Sequence, residues 1–226
     1  MSTSQESGMG DMGSDAVVAK EASGGLSTPP TPKGRDARRR LLEAGEQLFG
    51  EQGYAGTRVS DITEAANLSP GAFYRYFKDR HELLLVLLTE MLDRAFDFAR
   101  ARWDDNHPTE SVQRTTERYL EFYDLNRAMM GVMVEMAQND EEVRSVWRQS
   151  RTAFYTRIGR ALTRGVTSGA IRSDIDVEVA AELLGSMTEF YAFQRYALDG
   201  DALKDVPPVE VATTLAELWT RGVASK

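Results

Sequence analysis

The sequence predicts an all-α protein with an N-terminal helix-turn-helix domain followed by a larger helical body. From about Asp36 onward, apolar residues recur at intervals of three and four, and alternation with a period of two is scarce. The seven prolines lie in linkers or near expected helix starts, where proline interrupts no helix. No repeat with a period of roughly 20–50 residues is visible, which excludes a solenoid of stacked repeats.

Composition is that of a globular protein. The 226 residues are 42% hydrophobic, too apolar for a wholly disordered chain, and carry a formal net charge of −8. Cysteine is absent and the two histidines, His81 and His107, leave little for a histidine-rich site, so we expect no metal and no cofactor. No apolar run approaches the ~20 residues of a membrane span, and the N-terminus lacks the pattern of a secretory signal. We therefore expect a cytoplasmic protein with no membrane partner.

The N-terminal segment, residues 1–34, differs from the rest of the chain. It is rich in Ser, Gly, Thr and Pro and contains no aromatic residue, so it cannot bury enough apolar surface to offset its ordering entropy. We predict a disordered arm here. The run from Gly8 to Gly13 fits the pattern G-x-G-x-x-G, but a dinucleotide site also needs a preceding strand and a following helix. Neither is expected at this point, and we interpret the match as a coincidence.

Apolar spacing and stop signals predict the first two helices of a domain spanning residues 35–80. The first is expected from about Asp36 to Glu51, and the glycine-containing segment 52–56 ends it. Thr57 is expected to cap the second helix, because its hydroxyl can accept a free backbone amide. The inward-facing residues of that short helix are Val59, Ile62, Ala65 and Ala66.

A tight turn then leads to a short third helix. Asn67 tolerates the left-handed backbone conformation that such a turn often needs. Ser69 and Pro70 suit the N-cap and the first helical position. Phe73 and Phe77 can anchor the helix, expected from Pro70 to Phe77, which is too short to be stable alone. Two short helices joined in this way are typical of DNA-binding proteins.

The charge distribution also favours DNA binding by this domain. Residues 33–80 hold nine Lys and Arg against seven Asp and Glu, whereas residues 81–226 carry a net charge of −7. Phosphate contacts supply most non-specific DNA affinity, so a basic domain on an acidic chain fits this function. For any single residue, an ordinary solvated surface is the alternative. The basic residues concerned are Lys33, Arg35, Arg38, Arg39, Arg40, Arg75, Lys78 and Arg80.

The same stretch carries a dense set of motifs. They are Arg39-Arg40-Leu41-Leu42, Leu48-Phe49, Gly53-Tyr54, Thr57-Arg58-Val59-Ser60-Asp61-Ile62, the run from Ala65 to Phe77, and the run from Lys78 to Leu84. Together they resemble the N-terminal domain of the TetR family of transcriptional regulators. Two positions depart from the family pattern: Asn67 replaces a common glycine, and Tyr76 replaces a frequent histidine. Both departures are compatible with the family, but they leave open which bases are read.

The resemblance implies a homodimer that binds a pseudo-palindromic double-stranded operator. We expect Tyr74 and Lys78 to contact phosphate, and Gly71, Ala72 and Arg75 to face base edges. The complete set of predicted DNA-binding residues is Arg39, Thr57, Arg58, Ser60, Ser69, Gly71, Ala72, Tyr74, Arg75, Tyr76 and Lys78.

A helical body is expected over residues 81–226. Asp79 and Glu82 form a capping-box pattern that begins a long fourth helix ending near Trp103. Its apolar residues surround much of its circumference, as expected of a connector buried on several sides. His81 in its first turn could contact phosphate or be an ordinary exposed residue. The later helices are expected over residues 108–125, 127–138, 140–169, 177–198 and 208–221.

Methionines and aromatic residues are frequent in the body. Methionine is flexible and suits irregular apolar ligands, so with the family resemblance these residues predict a small-molecule pocket for a mostly apolar effector. Ordinary core packing is the alternative. Arg148, Arg151, Arg157 and Arg160 could serve an anionic ligand, or form a solvated face. The predicted ligand-binding residues are Trp103, Tyr119, Phe122, Tyr123, Met129, Met133, Met136, Phe154, Met187 and Tyr191.

The last two helices, 177–198 and 208–221, are the predicted dimer interface, because the family forms a four-helix bundle from them. Small residues at Ala180, Ala181, Gly185 and Ser186 would permit close helix approach. The apolar residues expected to contribute are Val179, Ala180, Leu183, Leu184, Met187 and Tyr191 on the first of these helices and Val211, Leu215, Leu218 and Trp219 on the second. Packing within one chain is the alternative.

The sequence therefore predicts a transcriptional repressor that releases its operator when an effector binds. A ligand-independent DNA-binding architectural protein is one alternative, and an all-α enzyme is another. The chain contains no G-x-S-x-G, phosphate-binding loop, H-E-x-x-H or EF-hand pattern, so no catalytic site is predicted.

Overall fold

The computed structural model describes residues 31–98, 104, 107–198 and 205–223, and the predicted all-α class is confirmed. Its helices are α1 Pro32–Gly56, α2 Val59–Ala65, α3 Pro70–Phe73, α4 Arg80–Phe98, α5 Pro108–Leu125, α6 Arg127–Ala137, α7 Glu141–Ser168, α8 Val177–Ala192 and α9 Pro208–Val223. Among these described helices, none has the length and apolarity needed to cross a membrane.

Helix α1 begins earlier than the sequence predicts. Thr31 takes an extended N-cap conformation, and its hydroxyl accepts a hydrogen bond from the Gly34 amide at 3.1 Å. Pro32 occupies the first helical position, where its missing amide costs nothing. Residues 32–34 are therefore helical, and their assignment to a disordered arm is wrong. Residues 1–30 of that predicted arm lie outside the described residues.

Gly53 interrupts α1 where a stop was predicted. Its φ of +73° and ψ of 167° lie in a region that residues with a side chain rarely adopt. A short helical segment follows and ends at Gly56, so the chain continues past the kink before it turns into α2.

Helix α4 is the buried connector that its sequence predicts. Leu83, Leu84, Leu88 and Met91 are almost completely inaccessible to solvent. The helix packs against α1 on one side and against α5 and α7 on others. A single core cluster runs from α1 through α4 into α5 and α6. The N-terminal domain and the body therefore share one core, and the position of the domain depends on how the body packs.

A second core cluster lies at the far end of the body. Helices α5 and α9 pack along each other, and α7 packs against α8. Leu162, Ala181, Ala216 and Trp219 are buried between these pairs. These contacts fix the orientation of α8 and α9, and so of the surfaces that the two helices expose.

Aspartate side chains begin α7 and α8. Asp140 and Asp176 each accept hydrogen bonds from the backbone amides two and three residues further on. Asp176 is therefore the N-cap of α8, directly before Val177. The expected helix 177–198 changes its winding after Ala192, because residues 193–197 form a π-helical turn.

Candidate DNA-binding surface and effector cavity

The helix-turn-helix has the geometry that its turn residues predict. Asn67 has a φ of +52°, the only positive φ among the described non-glycine residues. This conformation lets the Leu68 amide donate to the Thr63 carbonyl at 2.9 Å, which closes the turn after α2. Ser69 is extended at the N-cap position and Pro70 begins α3. The Asn67 backbone, the closing hydrogen bond and the proline at the start of α3 together define the turn between α2 and α3.

Helix α3 is shorter than predicted. Its α-helical part ends at Phe73, and a turn follows in which the Tyr76 amide donates to the Phe73 carbonyl at 2.9 Å. The buried rings of Phe73 and Phe77 lie 5.6 Å apart and anchor both parts. The turn presents Tyr74 and Arg75 to solvent.

The start of α2 differs from the predicted cap. Arg58 holds the N-cap position, and its backbone amide donates to the Asp61 carboxylate at 2.9 Å. Thr57 is fully buried, and its hydroxyl donates to the carbonyls of Leu48 at 3.2 Å and Gly53 at 2.9 Å. Thr57 therefore does not cap α2. Its hydroxyl holds the connection between α1 and α2 against the end of α1, and it is inaccessible to a DNA phosphate.

Most of the remaining predicted DNA contacts are accessible. Tyr74 is 59% exposed, whereas Tyr76 is partly buried against the core, which makes Tyr76 a poor candidate for phosphate contact. We define the recognition surface as Arg58, Ser60, Ser69, Gly71, Ala72, Tyr74, Arg75 and Lys78.

Three of the predicted basic residues hold the N-terminal domain together. Arg40 donates to the Ala66 carbonyl at 3.1 Å and so joins α1 to α2. Arg38 lies over the Phe77 ring, 5.5 Å from its centroid. Arg80 donates to two carbonyls at the end of α1. These three side chains therefore interact with groups inside the protein and are less available to DNA. The net charge of the segment does not show this.

Arg39 remains on the surface. It pairs with Asp36 at 2.5 Å and with Glu43 at 2.7 Å, and more than half of its side chain is exposed. Ion pairs this exposed contribute little to stability, so a DNA phosphate can replace the carboxylates. Arg39 therefore stays a candidate phosphate contact.

A cavity of about 40 Å³ lies in the body among α4–α8. The rings of Tyr119 and Phe154 stack beside it, with centroids 5.4 Å apart. Since ordinary ligand pockets measure roughly 300 Å³ or more, a ligand must displace flexible side chains to enter. The lining residues are Leu92, Ala95, Tyr119, Tyr123, Met130, Met133, Trp147, Ser150, Arg151, Phe154, Arg157 and Glu189.

One wall of the cavity carries a buried carboxylate, Glu189, which is 8% exposed. It accepts hydrogen bonds from Trp147 Nε1 at 3.0 Å, Arg151 Nε at 2.9 Å and the Tyr155 hydroxyl at 2.6 Å. These donors compensate the cost of burying the charge. Burial raises the pKa of the Tyr155 hydroxyl, and the bond to Glu189 raises it further. Partial burial lowers the pKa of Arg151, but its contacts with Tyr155 and Glu189 outweigh this and the pKa is raised.

Only some of the predicted ligand-binding residues line the cavity. It places Tyr119, Tyr123, Met133 and Phe154 on the cavity wall. Met187 is instead 37% exposed on the outer side of α8. Trp103 lies outside the described residues. The predicted residues that pack into the main core without lining the cavity are Phe122, Met129, Met136 and Tyr191.

Sequence models of known families match both parts of the chain. One described as "Bacterial regulatory proteins, tetR family" matches residues 41–87, and one described as "Tetracyclin repressor-like, C-terminal domain" matches residues 105–223. The second alone covers more than half of the chain. The chain belongs to the TetR family. The first match extends into α4, consistent with the core that the two parts of this TetR-family protein share.

Similar TetR-family proteins are named repressors. The chain is 28% identical over 214 residues to the transcriptional repressor KstR2 of Rhodococcus jostii, covering 88% of this chain and 98% of the relative. It is 27% identical over 167 residues to the repressor AcnR of Corynebacterium glutamicum, covering 73% and 84%. A crystal structure of a TetR-family regulator from Mesorhizobium loti has the same fold, with a TM-score of 0.70, 14% identity and coverage of 86% and 100%. The predicted DNA-binding transcriptional repressor is confirmed, and these relatives do not favour an architectural protein or an enzyme.

The outer side of α8 in this TetR-family chain is an exposed apolar stripe. Val179, Leu183, Met187 and Phe190 follow each other at helical spacing, and Leu183 and Phe190 are 66% and 61% exposed. Leu218 on α9 is also exposed. Contiguous exposed apolar surface is typical of protein–protein, membrane or ligand contacts.

Other residues predicted for the dimer interface lie inside the protomer. Leu215 and Trp219 are buried, 7% and 9% exposed, on the side of α9 that packs against the rest of the body. Ala181 is also buried, and Gly185 faces α7. For these four residues the alternative of packing within one chain is correct. The apolar and small residues of α8 and α9 lie on two sides of each helix, one packed inside the protomer and one exposed.

Proposed function

We propose that two copies of this chain join through the outer sides of α8 and α9 and bind a pseudo-palindromic operator with their recognition surfaces. The observation that carries the proposal is the exposed turn of the helix-turn-helix, where Tyr74 and Arg75 face solvent on a rigid base of buried phenylalanines. A dimer places two such surfaces in successive major grooves, which makes the half-site spacing part of the specificity.

Residues of the recognition surface have separate roles in this proposal. Gly71 and Ala72 are small and let the start of α3 approach the base edges closely. Arg75 supplies a bidentate donor for guanine, the commonest base-specific contact. Tyr74, Lys78 and Arg39 contact phosphates, which fix the position of the domain without selecting sequence.

Helix α6 connects the cavity to the N-terminal domain. Its residues Met130 and Met133 line the cavity, and the helix packs against α1. A Cβ added at Gly50 in α1 would lie 3.2 Å from the Ala128 side chain, so the two helices are in close contact there. An effector that displaces Met133 therefore shifts α6 against α1. By linkage, an effector that binds the released form better weakens operator binding.

The cavity favours an apolar effector with one negatively charged group. Aromatic rings and methionines form most of its wall. Arg151 and Arg157 both line the wall, and their guanidinium groups can donate hydrogen bonds to an anionic group on the ligand.

Operator selection from random DNA with the full chain, followed by ligand titration of the complex, tests this function. Decanoic acid, decanol and decyltrimethylammonium share one alkyl chain and differ in charge. We expect operator binding by anisotropy, with release at the lowest concentration of the acid. Phe154→Arg should abolish release and keep operator binding. No selected sequence would refute operator binding, and release by all three ligands at equal concentration would refute the charge preference alone.

A further inference from the structure

His81 faces carboxylates with both of its ring nitrogens. His81 Nε2 lies 2.6 Å from Asp140 Oδ2, and His81 Nδ1 lies 3.5 Å from Glu142 Oε2. One ligand atom from each of the three residues lies within 4.8 Å of the others. Among the described residues this is the only such group of His, Asp or Glu side chains. The phosphate contact considered for His81 is therefore wrong, since the ring faces the body.

We propose that His81, Asp140 and Glu142 form a binding site for a divalent transition-metal ion. One imidazole nitrogen and carboxylate oxygens suit zinc, nickel, cobalt or manganese, whereas magnesium prefers oxygen ligands alone. His81 can supply one ring nitrogen and each of the two carboxylates one oxygen, which gives three protein ligands and leaves the remaining positions to water.

The surroundings support a defined site. The side chains of His81 and Asp140 are 26% and 20% exposed, so both are largely withdrawn from solvent. Asp140 is also held by its second oxygen, Oδ1, which accepts the Glu142 and Val143 amides at 3.0 Å. Its Oδ2 is thus held toward His81 Nε2, where the two side chains can bind the same ion. Glu142 is 73% exposed and can move toward the ion.

The site spans the junction between the N-terminal domain and the body. His81 is at the start of α4, and the acidic residues are at the start of α7. The preceding residue, Arg80, donates to the carbonyls of Tyr54 and Thr57 and stacks over the Tyr54 ring, 4.4 Å from its centroid. An ion bound here therefore connects α7 of the body to the end of α1 through two adjacent residues. Fifty-nine positions separate His81 from Asp140, so the sequence could not bring the three ligands together.

Calorimetric titration of the tag-free, EDTA-dialysed full chain with ZnCl₂ tests the site. We expect about one Zn²⁺ per chain and a melting temperature that rises with the logarithm of free Zn²⁺. MgCl₂ at the same concentration should leave the melting temperature unchanged. His81→Ala should abolish Zn²⁺ binding, and Glu142→Gln should weaken it roughly 10–100-fold. Asp140 is left intact, because it caps α7.

The chain supplies a matched control for these variants. His107 is its only other histidine and pairs with Asp104 at 3.0 Å, and the sequence contains no cysteine. His107→Ala should bind Zn²⁺ as the unmodified chain does. Absence of Zn²⁺ binding, or binding that survives His81→Ala, would overturn the proposal. Circular dichroism of each variant without metal shows whether it is folded, and a misfolded His81→Ala is replaced by His81→Asn.

Discussion

Gly185 in α8 lies directly against the ring of Tyr155 in α7. A Cβ added at Gly185 would be 2.4 Å from Tyr155 Cε1, closer than side-chain atoms approach each other in proteins. The Tyr155 ring cannot move away easily, because its hydroxyl donates to Glu189 at 2.6 Å and contacts Ser186 at 3.1 Å. The small residue therefore serves the contact between α7 and α8 within one protomer.

Gly185→Ala should destabilise the folded protomer by about 1–3 kcal/mol, because overpacking forces side chains or backbone to shift. Urea unfolding at fixed protein concentration measures this change. Gly159→Ala is the matched control, since a Cβ there meets the nearest atom at 3.8 Å, an ordinary contact. In a helix interior that substitution should be neutral or stabilising by about 0.5–1 kcal/mol. Equal stability of both variants would contradict the packing assigned to Gly185.

Charged substitutions on the apolar stripe of α8 should separate the dimer. Leu183→Glu and Phe190→Glu place a carboxylate on surface that is exposed in one protomer but buried in the proposed interface. We expect folded monomers by sedimentation and much weaker operator binding, because a single domain loses the linked second half-site.

Two further substitutions lie outside the proposed interface and serve as comparisons for the α8 variants. Leu215→Glu should unfold the chain, since Leu215 is 7% exposed inside the protomer. Gln149→Glu, on an exposed position of α7, should change neither assembly nor stability. An intact dimer in both α8 variants would place the interface elsewhere.

Arg75→Ala should weaken operator binding by about 1–3 kcal/mol and reduce base preference at one position. Lys78→Ala should weaken binding to all sequences similarly and lower the salt dependence of the affinity by about one counterion. Anisotropy titrations at several salt concentrations, with operator and single-base variants, distinguish the two effects. Arg164→Ala, at an exposed position of α7, is the control and should leave both quantities unchanged. Unchanged affinity and base preference for Arg75→Ala would exclude it as a base contact.

Local signals in the sequence predicted much of the N-terminal domain. Asn67, Ser69 and Pro70 define the turn through their own backbone preferences, and the structure has the turn that they predict. Local signals did not predict the separate roles of Thr57 and Arg58. Both are polar and both precede α2, but only the path of α1 decides that the threonine is buried and that the arginine takes the N-cap.

The features of the body that the sequence did not predict depend on contacts between residues that are far apart in the chain. Glu189 meets Trp147 and Tyr155, which are 42 and 34 positions away, so no local pattern indicates a buried carboxylate in the cavity wall. Helix α9 carries both Leu215 and Leu218, of which the first is buried and the second exposed. Apolar spacing predicts that a helix has a buried side but does not say which neighbour covers it.

Alkaline pH should destabilise the body through Tyr119 and Tyr123, the two tyrosines that line its cavity. Burial raises the pKa of the Tyr119 and Tyr123 hydroxyls well above the ordinary value of 10.0. In the unfolded chain both hydroxyls ionise near that ordinary value, whereas in the folded chain they stay protonated. The stabilisation from the protonated hydroxyls is therefore complete below about pH 10 and is lost as the pH rises from there toward the folded pKa values.

Melting temperatures measured by circular dichroism from about pH 9 to about pH 11 should show this loss as a steepening decline. The Tyr119→Phe, Tyr123→Phe double variant cannot ionise at these positions, so its melting temperature should decline less steeply over the same range. Tyr74→Phe is the control, since it removes a tyrosine hydroxyl from the recognition surface and not from the cavity, and it should follow the unmodified chain. The same slope for all three proteins would show that the ionisation of the cavity tyrosines is not linked to unfolding.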